Sequence, residues 1–95
     1  MTDGLEALRA RFLAQCAEDL RLVAHAIADA ETVEAPLFAQ RIHRLAGAAG
    51  IFGFAVVSDR ARVVDDRLTA KAKPLLESLE ALAAALAEIA RAHGA

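Results

Sequence analysis

One histidine in this 95-residue sequence is surrounded by small residues, which is an unusual setting for a reactive side chain. His43 lies within residues 40–54, and the apolar positions in and just before this segment recur at spacings of three and four, which predicts an amphipathic helix. On that helix His43 points roughly 140° from the centre of the apolar stripe, toward solvent. Imidazole titrates near neutral pH and is a good nitrogen nucleophile. The core-facing stripe comprises Phe38, Ile42, Leu45, Ala49 and Phe52.

The helix surface around His43 is nearly bare. The residues predicted beside it on the outer face are Ala39, Ala46, Gly47 and Gly50. A glycine inside a helix costs about 1 kcal/mol relative to alanine, so two of them suggest a purpose for the missing side chains. The bare surface would leave the ring open to a second protein. From the residues alone, a surface histidine without a role stays an equal alternative.

Other chemistries find little support in the sequence. His25, His43 and His93 fall on three different predicted helices, and none has a histidine or glutamate three or four residues away, as a metal site on one helix would need. Ser58 and Ser78 have no local base, which argues against a catalytic triad. No phosphate-binding loop with its lysine is present, and no strand precedes the spaced glycines as a dinucleotide site requires.

Composition narrows the class of protein further. The formal net charge is −2, from 11 basic and 13 acidic residues, so a nucleic-acid-binding surface is not expected. The single Cys16 excludes an intrachain disulfide, and its place on an apolar stripe predicts a buried, unreactive thiol. We expect neither a signal peptide nor a membrane span, and therefore a cytoplasmic protein.

The predicted fold is all-α. The sequence contains 25 alanines and 13 leucines, which favour helix. Apolar periodicity predicts four amphipathic helices joined by short links, with Pro36 and Pro74 in the first turns of the second and fourth. These helices should form one antiparallel, up-down four-helix bundle over residues 1–95. The predicted helices span residues 4–30, 36–52, 54–69 and 74–93.

The segment from His43 to Gly53 resembles the phosphorylation motif of histidine-containing phosphotransfer (HPt) domains. That motif reads His-x-Leu-Lys-Gly, followed by small residues, an apolar residue and glycine. The resemblance extends to a bundle of similar length with the motif on its second long helix. One departure is Ala46, which stands where the family commonly has the lysine. The residues that match in order are His43, Leu45, Gly47, Phe52 and Gly53.

The resemblance implies a phosphorelay intermediate with His43 as its phosphoacceptor. Its partners would be the receiver domains of response regulators and a hybrid histidine kinase. No cofactor is implied for the chain itself, since Mg²⁺ would belong to the receiver. We expect a phosphocarrier that is monomeric and has no kinase activity of its own. Supporting roles are assigned to Gln40, Arg44, Gly47, Gly50 and Asp65, and partner docking to Ala39, Arg41 and Ala46.

Two of these assignments leave alternatives open. Asp65 would hold a ring N–H of His43, or would form a solvated acidic pair with Asp66. Arg44 is the nearest replacement for the missing lysine by sequence, and Arg41 and Arg60 are the others.

Two other functions also stay open. A non-catalytic helical module would bind a receiver or kinase without carrying phosphate, and the absence of the lysine at Ala46 favours it. The dimerisation domain of a histidine kinase is the weaker option, because four helices close a bundle without a partner chain.

Overall fold

A computed structural model describes residues 3–93, with side chains from residue 4 onward. The chain forms four α-helices: α1 (Asp3–Ala28), α2 (Pro36–Ile51), α3 (Ala55–Thr69) and α4 (Leu76–Ala92). A short 3₁₀ helix, Ala30–Glu34, connects α1 to α2. The predicted all-α bundle is confirmed, with α1 packed mainly on α4 and α2 mainly on α3. Within the described range, no helix has the length and apolar character needed to cross a membrane.

The first helix ends two residues earlier than the periodicity predicts. Asp29 takes an extended conformation, and its side chain accepts a hydrogen bond from the Glu31 backbone N–H at 3.1 Å. An aspartate that bonds to nearby backbone N–H groups offers the chain an alternative to continuing the helix. The 3₁₀ helix after Asp29 therefore forms the predicted short link between α1 and α2.

The prediction that Pro74 opens the last helix is wrong. Leu75 has an extended backbone, with φ −76° and ψ 142°, and α4 starts only after it. The preceding link is held against α3, because Arg67 Nε donates to the Lys73 carbonyl at 3.0 Å. Pro74 thus lies in the connection between α3 and α4.

The core extends through the middle of the bundle and includes Cys16, as predicted. It does not extend to the start of α1, where Leu5 and Leu8 are 66% and 52% exposed. Phe12 is the first buried residue among the side chains of α1 that the structure describes, so the first turns of this helix face solvent. The largest fully buried side chains are Phe38, Ile42, Leu82, Leu86, Val23 and Val64.

A tight turn fixes α3 against α2. Gly53 has a φ of +84°, which glycine adopts without strain, and the Phe54 N–H donates to the Ala49 carbonyl at 2.8 Å. The rings of Phe52 and Phe54 stack on Phe12 of α1, with centroids 5.1 and 5.5 Å away. These contacts hold the turn, so α3 returns antiparallel beside α2 and borders the exposed face that carries His43.

Candidate functional site

The structure brings His43 of α2 next to Asp65 of α3. His43 Nδ1 lies 2.9 Å from Asp65 Oδ2, so the ring nitrogen donates and the carboxylate accepts. The histidine side chain is 79% exposed, whereas that of the aspartate is only 16% exposed. A carboxylate on one ring nitrogen fixes the tautomer and orientation of an imidazole. The Nε2 atom is left with its lone pair available for attack on a phosphorus or other electrophile.

The two glycines near His43 have different surroundings. A Cβ atom added at Gly47 would meet nothing within 4 Å, so this part of α2 is open surface. A Cβ atom at Gly50 would lie 3.4 Å from Ser58 Oγ of α3. Gly47 therefore provides the bare surface predicted beside the ring, while Gly50 lies where the two helices approach each other.

Ala46 does not lie on the outer face, and the expectation that it contributes to a docking surface is wrong. It is only 5% exposed, because α3 covers it. The Ser58 hydroxyl donates to the Ala46 carbonyl at 2.7 Å, which ties α3 to this point of α2. Ala39, one turn before His43, keeps part of its surface exposed.

Arg41 also does not take the position expected of it at a docking edge. Its Nε atom lies 3.0 Å from Asp19 Oδ1 of α1, and the Asp19 side chain is almost completely buried. Gln15 donates to the same carboxylate oxygen at 3.2 Å. The Arg41 charge therefore compensates a buried carboxylate on the side of α2 that faces α1.

The remaining candidates lie at different distances from the ring. Arg60 Nη1 donates to the Ala81 carbonyl of α4 at 2.8 Å, which directs it away from α2. Arg44 and Gln40 are exposed on α2. In the part of the chain that the structure describes, no hydrogen bond joins Gln40 to His43.

Two residues of the site were missed in the sequence. Ser58 joins the helices through Ala46, and Arg62 places its Nη2 atom 3.4 Å from Ser58 Oγ. Ser58, Arg62 and Asp65 are spaced by four and three residues, so they share one face of α3. That spacing was visible in the sequence, but its meaning depends on which face of α3 meets α2.

Groups elsewhere are less suited to chemistry. Burial raises the pKa of the Cys16 thiol to about 12, with Asp19 adding to the effect, so this thiol is a poor nucleophile near neutral pH. Among residues 3–93, no group of three or more His, Cys, Asp or Glu side chains is arranged to hold a metal ion.

Comparison with known proteins identifies a family for nearly the whole chain. The family model described as "Hpt domain" matches residues 7–92. No curated protein and no solved structure gives a match. The matched range contains most of α1, the whole of α2, α3 and α4, and both His43 and Asp65.

Proposed function

Because the chain belongs to the Hpt domain family, whose members take part in histidine phosphotransfer in phosphorelays, we propose that it carries a phosphoryl group on His43. Hpt domains in general interact with receiver domains and kinases. The observation that best supports the proposal is the outward His43 ring with Nδ1 held by Asp65. This geometry leaves Nε2 as the nucleophile.

The transfer step is an in-line displacement at phosphorus. The Nε2 lone pair attacks the phosphorus of an aspartyl phosphate on a receiver domain. The N–P bond forms as the bond from phosphorus to the aspartyl oxygen breaks, and the carboxylate leaves with that electron pair. In the reverse direction the imidazole is the leaving group, and a receiver aspartate attacks.

Asp65 contributes to this step through charge. When Nε2 bonds to phosphorus while Nδ1 keeps its proton, the ring gains a positive charge. The Asp65 carboxylate, 2.9 Å from Nδ1, accepts a charge-assisted hydrogen bond from that ring. No proton has to leave the site, so Asp65 both orients the nucleophile and stabilises the product.

The receiver would dock on the outer face of α2. Leu37 and Ile51, near the two ends of this helix, are 55% and 81% exposed and would add apolar contacts to the interface. Gly47 lies between them along the helix, next to His43. Arg44 supplies a positive charge at the edge of this surface nearest α1, which suits an acidic receiver pocket.

The chain would need no metal or cofactor of its own for this function. The receiver's acidic pocket would supply the Mg²⁺ that neutralises charge on the transferring phosphoryl group. The chain itself would contribute the nucleophile and the docking surface.

The test is phosphoryl transfer from a panel of phosphorylated receiver domains. The wild-type protein should acquire an acid-labile label, and His43→Gln should acquire none while keeping its helical content and melting temperature. His25→Gln is the matched control, since it replaces another exposed helical histidine. Label on the His43→Gln variant would mean that the site is misassigned. A folded protein that binds a receiver but takes no label would instead be a non-catalytic interaction module.

A further inference from the structure

The proposed phosphohistidine creates an electrostatic problem at the site. A phosphoryl group on Nε2 carries up to two negative charges and lies close to the Asp65 carboxylate. Like charges at such separations repel, more strongly where water is partly excluded. A cation within reach of the phosphoryl oxygens would offset this repulsion, and Ala46 supplies none.

Most nearby arginines are committed elsewhere. Arg41 pairs with Asp19 toward α1, and Arg60 bonds to a carbonyl of α4. Arg67 donates to the carbonyl of Lys73 in the link before α4. Arg44 is exposed but lines a small cavity with Asp19 and Arg41, on the flank of α2 that faces α1.

Arg62 is the exception. It is exposed on α3, and no acidic group among the described residues forms an ion pair with it. Among the described residues, the hydrogen bond found for its side chain is to Ser58 Oγ at 3.4 Å, which is long for a good hydrogen bond. The side chain is therefore weakly held and able to move to a stronger partner.

The position of Arg62 suits the phosphoryl group. Ser58 bonds to the Ala46 carbonyl, so the guanidinium beside Ser58 lies at the level of Ala46, on the α3 side of the helix pair. Asp65 follows three residues later, and side chains at this spacing have Cβ atoms about 5–6 Å apart on one helix face. Arg62 and the His43–Asp65 pair therefore border the same groove between α2 and α3.

We infer that Arg62 binds the phosphoryl group on His43 and offsets its repulsion with Asp65. The guanidinium leaves Ser58 and donates two parallel N–H bonds to phosphoryl oxygens, a geometry that arginine forms well. The cation thus comes from α3, across the groove from the helix that carries the nucleophile. This inference rests on the proposed function, because it requires a phosphohistidine at His43.

The test measures single-turnover transfer from a phosphorylated receiver over a range of receiver concentrations. Arg62→Ala should lower the maximal transfer rate roughly ten- to a hundredfold, as expected for loss of a charged hydrogen bond. Arg62→Lys should recover part of that rate. Arg60→Ala is the matched control, an arginine on the same helix directed toward α4, and should transfer like wild type.

The possible outcomes separate the inference from the function. Normal maximal rates for Arg62→Ala, with label still on His43, would overturn the role of Arg62 and leave the phosphocarrier function intact. A change confined to the receiver concentration at half-maximal rate would also overturn it, since that pattern indicates docking. Absence of label on wild-type His43 would overturn both. Unchanged melting temperatures exclude a purely structural effect.

Discussion

His43 Nδ1 lies 2.9 Å from Asp65 Oδ2, joining an exposed ring on α2 to a shielded carboxylate on α3. Twenty-two positions of sequence separate the two residues, and the turn at Gly53 brings them together. Because packing between the helices holds the carboxylate, the direction in which Nε2 points is set by the fold. The exposed partner is then free to contact another protein without losing its orientation.

Replacing Asp65 by Asn should slow transfer to His43 by about ten- to a hundredfold, a cost typical of losing a carboxylate that orients a functional histidine. The amide still accepts a hydrogen bond, but it carries no charge to stabilise the phosphorylated ring. Nitrogen-15 NMR should show His43 protonated on Nδ1 in the wild type and a mixture of tautomers in the variant.

Asp66→Asn is the control, because Asp66 is exposed and adjacent in sequence. Its transfer rate and its His43 spectrum should match the wild type. Equal effects of the two substitutions would indicate a general loss of negative charge and would refute a specific role for Asp65.

The features of this site that could be predicted from the sequence are those that depend on the spacing of apolar residues within one helix. The stripe of Phe38, Ile42 and Leu45 determines which side of α2 faces the core, and that places His43 outward. The fold class follows in the same way from repeated three- and four-residue spacings.

The wrong predictions concern which side of each helix packs against its neighbours. Ala46 lies only 60° from His43 on an ideal helix (100° per residue), yet α3 covers one and not the other. Arg41 was predicted at the edge of the docking face because the buried Asp19, on another helix, could not be known as its partner. Whether Asp65 or Asp66 faces α2 depends on the same packing, which no single helix determines.

The pair formed by Asp19 and Arg41 should contribute strongly to stability. Arg41→Met should lower the free energy of unfolding by about 3 kcal/mol, because it leaves a buried carboxylate without its cation. Arg21→Met breaks an exposed ion pair with Glu18 and should change the free energy of unfolding by less than about 1 kcal/mol. Urea unfolding followed by circular dichroism measures both values.

The double variant Asp19→Leu/Arg41→Met provides the internal check on that interpretation. Removing both charges should recover much of the stability lost by Arg41→Met alone, since no buried charge then lacks a partner. Additive losses in the double variant would show that packing, rather than charge compensation, accounts for the effect.

The buried thiol of Cys16 should make stability depend on pH under alkaline conditions. Burial raises its pKa from 9.0 to about 12 in the folded protein, so the folded state holds the proton more tightly than the unfolded state. The stabilisation is complete below pH 9 and is lost as the pH rises toward 12. The free energy of unfolding should fall in this window with a slope of up to about 1.4 kcal/mol per pH unit.

Cys16→Ala isolates this effect from the titration of other groups. The variant will be less stable at every pH because it loses core volume, but its stability should fall less steeply above pH 9. If the free energies of unfolding of the two proteins fell in parallel with pH, the thiol would have the same pKa in the folded and unfolded states. Burial would then not have raised its pKa.

The open surface at Gly47 should matter for transfer and not for folding. Because nothing lies within 4 Å of an added Cβ, Gly47→Gln should fit on α2 and raise the free energy of unfolding by about 0.5–1 kcal/mol through better helix propensity. The same side chain would project beside His43, where the receiver must approach, and should slow transfer. Gly47→Ala should gain at least as much stability, because alanine has the highest helix propensity, with a smaller effect on transfer. Ala24→Gln, at an exposed position of α1, should leave transfer unchanged. Melting curves measure the stability of the three variants, and single-turnover kinetics measure their transfer rates. A wild-type transfer rate for Gly47→Gln would mean that the receiver does not need the open surface at Gly47.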